Sequence, residues 1–141
     1  MIAHVVAVSV AVILAGLALL HVYWAAGGEV GRMASVPVRA DGAPLFHPGA
    51  AVTFGVAVAL AIAAMVVLVR SHVVVGVGPS ALYRWAMWAI GGAFALRAVG
   101  DFHYVGLFRR VRGTRFATLD SAVFTPLCGG LAAAMLYLAA R

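Results

Sequence analysis

Lysine does not occur in this sequence, its acidic residues number four and its cysteines one. Cys128, being alone, excludes an intramolecular disulfide and a dithiol redox pair, and with them a two-cysteine quinone reductase. Charged residues make up 10% of the chain, too few for the solvated surface of an ordinary soluble domain. What fills their place is apolar: 65% of the residues are hydrophobic and the mean hydropathy is +1.09, the composition of a membrane protein. The net charge of +6 rests on ten arginines. In such a protein it bears on orientation and on anionic lipid, and nucleic acid is not an expected partner.

Four apolar segments, near residues 4–26, 51–70, 81–100 and 121–140, account for nearly the whole chain. Each reaches the roughly 20 residues needed to cross about 30 Å of hydrocarbon. The expected fold is therefore an all-α membrane protein, a bundle of four transmembrane helices in one domain over 1–141. The first segment has no basic region before it and is longer than the roughly 7–15 apolar residues of a secretory signal, so it reads as a retained span.

The connections differ in kind. Residues 27–50 (GGEVGRMASVPVRADGAPLFHPGA) are rich in glycine and proline and long enough for a lid or binding loop. The second connection, around SHVVVGVGPS, is short and mostly apolar. The third, RRVRGTRFATLD, holds Arg109, Arg110, Arg112 and Arg115. With four spans the first and third connections share one side, together with Arg32 and Arg39, against Arg70, Arg84 and Arg141 on the other. The positive-inside rule then places both termini outside and the first and third connections in the cytoplasm, in an inner membrane of bacterial type.

The polar residues of the spans gather at the cytoplasmic ends. His21 and Trp24 close the first span, Arg97, Asp101 and His103 close the third, and Asp120 precedes the fourth. If the third helix ran on to Arg109, Arg97 would lie about 18 Å of helix before it and well inside the apolar layer. A charge at that depth costs about 2.5–3.5 kcal/mol, so a partner is expected. Asp101, four residues on and on the same helical face, is the expected partner. His103 points elsewhere on a continuous helix, unless Gly100 breaks it. Asp120 suits the N-cap of the fourth span. Thr125–Pro126 sits early in that span, where the proline removes a backbone donor, bends the helix and leaves a carbonyl free. Tyr83, Trp85 and Trp88 read as interfacial anchors at the opposite end, and Cys128 as a small apolar bundle residue.

The pieces HVYWAAGG, FHPG, GDFHYVGLFRRVRGTRFATLD and PLC, spread from His21 to Cys128, resemble those of a family of small four-span bacterial membrane proteins catalogued as a domain of unknown function. The resemblance implies that His21, Trp24, Arg97, Asp101 and Asp120 stand at the family's motif positions, and it carries no reaction with it.

Three classes of function follow. The preferred one is a polar pocket on the cytoplasmic side, lined by His21, Trp24, Arg97 and Asp101 with His103 and Asp120 as further candidates. It would bind, and in one version modify, a small amphipathic ligand such as a lipid head group, isoprenoid or quinone. The second is an accessory subunit whose polar residues only hold helices together. The third is a b-type haem protein with His21 and His103 as axial ligands. The sequence names no cofactor and no metal. Membrane lipids are the expected partners, and a homo-oligomer or a second membrane subunit stays open.

Overall fold

In hydrocarbon a backbone N–H or C=O finds no water, so a long apolar run must satisfy its backbone within itself and becomes a helix even where valine is abundant. The computed structural model describes residues 1–141 and shows this outcome. Its four long helices are α1 (Ile2–Ala25), α2 (Ala50–Arg70), α3 (Ser80–Val99) and α4 (Arg115–Ala139). There is no strand beyond an isolated bridge between Val38 and Pro44. Helices α1, α2 and α4 are long and apolar enough to cross a membrane. Helix α3, at 20 residues, is about 30 Å long and carries Arg84 and Arg97.

Only 25 of 141 residues are buried although 65% are hydrophobic, so the outside of the bundle is itself apolar. Ile2 is 71% exposed, Val52 67% and Leu96 74%. Water would penalise such a surface and lipid does not, and the chain is an integral membrane protein.

Helix α1 packs most extensively on α2 and α3 on α4, with smaller α2–α3 and α1–α4 contacts closing the bundle. Small residues let the backbones approach: Ala7, Ala11, Ala63, Ala64 and Ala139 are buried among Leu14, Val67, Met87 and Met135. These residues come from the N-terminal halves of α1 and α3 and the C-terminal halves of α2 and α4. The apolar core therefore sits toward the end that holds the termini, and the polar groups occupy the other end.

One helical-face pairing and one helix boundary differ from the sequence reading, and both bear on the site. Helix α3 stops at Val99 because Gly100 takes φ +87°, so 100–114 is a loop. Arg97 thus lies in the last turn of α3 and not in the body of a helix that runs on to Arg109. Helix α4 starts at Arg115 and not near residue 121, with the Thr114 side chain capping it by accepting a hydrogen bond from the Ala117 N–H at 3.1 Å. Asp120 is therefore not an N-cap. It opens a π-helical turn, Asp120–Phe124, between α-helical Arg115–Leu119 and Thr125–Ala139. The wide turn lies just before Pro126, which has no N–H to donate and whose ring crowds the preceding turn.

The 27–49 connection folds on itself. Arg32 donates to the Pro48 carbonyl at 3.1 Å, and the Leu45 and Arg39 N–H groups donate to Pro37 and Ala43, each at 2.8 Å. Its short helical turn Met33–Ser35 rests on the first turns of α4, which puts the first and third connections at one end of the bundle.

Candidate functional site

The polar end is organised by Asp120, which is fully buried. One carboxylate oxygen accepts from Arg97 Nη2 at 2.8 Å. The other accepts from Arg109 Nη1 at 2.9 Å and from the Gly106 N–H at 2.8 Å. Arg109 Nη1 also donates to the Gly106 carbonyl at 2.8 Å, and its Nη2 donates to the Ser121 hydroxyl. Asp120 thus ties together the end of α3, the loop after it and the π turn of α4.

The loop can reach Asp120 because two glycines close it. Gly100 and Gly106 have φ of +87° and +88°, and a Cβ on either would collide with the other's stretch of backbone. Within the loop, Asp101 does not pair with Arg97. One Asp101 oxygen accepts from the N–H groups of His103, Tyr104 and Val105 at 2.9, 2.7 and 2.9 Å. This replaces the expected intrahelical pair, for a physical reason: once Gly100 ends the helix, Asp101 is no longer one helical turn above Arg97, and its carboxylate serves the exposed N–H groups of a turn. Partial burial pushes the Asp101 carboxyl up, but the N–H groups of Val105, His103 and Tyr104 together outweigh it and hold the group below the usual carboxylate value.

His103 is exposed on the same turn, with its ring packed edge-on to Tyr104. His21 is half-buried on α1: its Nδ1 lies 2.8 Å from the Leu17 carbonyl and its ring meets Trp24 edge-on at 5.0 Å. Trp24 donates from Nε1 to the Val30 carbonyl at 2.8 Å, anchoring the start of the 27–49 connection. Of the six candidates, then, Arg97 and Asp120 are joined directly, and Asp101 and His103 share the adjoining loop. His21 and Trp24 pair with each other on α1 and do not line the cavity beside Asp120.

That cavity has a volume of about 290 Å³ and lies between α3, the loop and the π turn. Its walls include Ala98, Arg109, Ser121, Thr125, Pro126 and Gly129. Thr125 is buried and its hydroxyl has no partner; Arg109 Nε is likewise buried and unpartnered, as is Nη1 of Arg97, the neighbour of Ala98 in the chain. A second cavity, of about 490 Å³, lies on the other side of Arg109 and shares Leu107, Arg109 and Ser121 with the first. It adds Arg112 and Thr118. The clamp leaves donors free and both oxygens of its carboxylate occupied, so what it presents chemically is hydrogen-bond donors.

Arg109 and Ser121 are site residues that spacing did not reveal. The arginine cluster marked Arg109 as interfacial, whereas its partner lies eleven residues away across a loop whose path depends on two positive-φ glycines.

Fold and site together define an all-helical integral membrane protein with a buried arginine–aspartate clamp at one end of its bundle. Residues 14–135 match the family described as Protein of unknown function (DUF3995), and the chain belongs to that family. Neither a curated protein nor a solved structure matches it.

Proposed function

We propose that the protein binds a small amphipathic molecule at the clamp end of the bundle, through an acceptor-bearing head group seated beside Asp120. The observation that carries this reading is the set of buried donors without partners, Thr125 Oγ1 and Arg109 Nε, on residues lining one cavity. Such groups are costly unless something bonds to them. The surroundings suit an amphiphile. Phe102, Leu107 and Phe108 of the adjoining loop are 57%, 63% and 58% exposed, and arginines stand among them, as expected of a segment lying in the head-group layer.

In this reading α3 crosses the membrane with the other three helices. The arginine balance supports an orientation with the clamp end and the 27–49 and 100–114 connections in the cytoplasm and both termini outside, in a bacterial-type inner membrane. A different observation favours a purely structural role for the carboxylate itself: all its near contacts are donors from the protein, so Asp120 holds the site open and is not free to handle a ligand's proton.

Native mass spectrometry of the purified protein tests the proposal. The parent should retain an amphiphile, and Thr125→Val, which keeps the shape and removes the hydroxyl, should lower its occupancy about fivefold, the value of roughly one hydrogen bond. Equal retention by Thr125→Val, or no retained molecule in the parent, would overturn it.

A further inference from the structure

From the same site, and resting on the amphiphile-binding reading, we infer that the head group is a phosphate ester of a lipid and that its phosphate sits against Arg109 and Arg112. The site carries an unbalanced charge. Arg97 and Arg109 share one carboxylate, so the clamp keeps a net positive charge on groups that are largely withdrawn from water, the Arg109 side chain being 10% exposed. An anionic ligand neutralises that charge, and a quinone or other neutral carbonyl compound does not.

The groups on the walls also suit an oxyanion. The cavity of about 490 Å³ presents Arg109, Arg112, Thr118 and Ser121 and no carboxylate. Ser121 accepts from Arg109, so its own hydroxyl hydrogen stays available for an oxyanion. Thr118 already donates to the Thr114 carbonyl, at 3.3 Å, which leaves the two guanidinium groups and Ser121 as the phosphate ligands. Arg112 makes no hydrogen bond or ion pair within the protein, so its charge is uncommitted.

Shape points the same way. Arg109 and Ser121 form a wall common to this cavity and to the one of about 290 Å³, which continues past Thr125 to Pro126, Gly129 and Ala98. A free phosphate would occupy the outer space alone. A lipid phosphate places its anion there and the uncharged linkage of its chain, an ester or ether oxygen, beside the Thr125 hydroxyl.

The test is native mass spectrometry of the full chain in detergent with four added probes: dioleoylphosphatidate, dioleoylphosphatidylcholine, decylubiquinone and inorganic phosphate. Phosphatidate should give the most abundant adduct. Arg112→Gln, on an exposed residue with no structural bond, should reduce it about fivefold, the effect of roughly one basic side chain at a lipid head group. Arg84→Gln, at the far end of α3, should leave it unchanged. Decylubiquinone binding as well as phosphatidate and indifferent to Arg112→Gln overturns the phosphate inference while the amphiphile reading stands. Inorganic phosphate adducts without lipid adducts overturn the lipid assignment. No adduct with any amphiphile removes both.

Discussion

Replacing Asp120 by Ala removes the acceptor from two guanidinium groups and one backbone N–H at once, at a fully buried position. Breaking a buried ion pair by deleting one partner costs about 3–5 kcal/mol, because the other charge is left without compensation. Arg109, nearly buried, carries most of that penalty. The Arg97 side chain is 35% exposed and can turn toward head groups, so its share is smaller. Asp101→Ala removes an exposed turn cap and should cost about 1 kcal/mol, the size of a lost side-chain cap. Unfolding in mixed detergent by titration with sodium dodecyl sulfate, followed by tryptophan fluorescence, measures both. An Asp120→Ala variant no less stable than Asp101→Ala would refute the clamp. A larger loss for Asp101→Ala than for Asp120→Ala would restore a pairing of Arg97 with Asp101. A double-mutant cycle of Arg97→Ala with Asp120→Ala should show a coupling of about 1 kcal/mol or more, since the two share a bond and not merely a region.

Other consequences are independent of that one. Gly106→Ala should destabilise by more than about 1 kcal/mol, since it needs a positive φ and meets the backbone at Gly100, whereas Gly92→Ala, whose Cβ meets nothing, should be neutral or better. The Asp101 carboxyl titrates below its unfolded value, so the unfolded state binds more protons in that interval and the turn's stability rises with pH there. The advantage of the parent over Asp101→Asn should therefore be constant from neutral pH down to the ordinary carboxylate value and vanish as pH falls below it, read as the difference in unfolding midpoints. For topology, cysteines at Ala40 and Arg110 in a Cys128→Ser background should be shielded from an impermeant thiol reagent in intact cells and one at Val75 labelled. The reverse pattern would invert the orientation.

The helical bundle was legible in the sequence because a membrane makes composition sufficient: runs of about 20 apolar residues have one stable form. The clamp was legible only as ingredients. Arg97 stood out as a charge in the wrong surroundings and Asp120 as a helix cap, but they are 23 residues apart and no helical period links them. The nearer carboxylate, Asp101, looked like the partner because the reading ran α3 past Gly100. That single glycine converted a helical face into a turn and sent Asp101 to three backbone N–H groups. Asp120 was misread for a related reason. Its place just before the fourth apolar segment suggested a helix start, whereas the helix begins five residues earlier and widens into a π turn that aims Asp120 inward. His21 and Trp24 share a level of the bundle with the clamp, yet level does not fix azimuth, and their polar atoms are taken up by Leu17 and Val30.

The central claim is that the donors beside the clamp exist for a ligand. An experimental structure of the protein in nanodiscs formed with its own membrane lipids addresses it directly. The account predicts density in the cavity bounded by Ala98, Thr125 and Gly129, within hydrogen-bond distance of Thr125 Oγ1 and Arg109 Nε and continuing toward Arg112. A collapsed cavity in which Thr125 and Arg109 bond to other protein groups, with Asp120 still clamped, would contradict it and leave the bundle with a scaffold role alone.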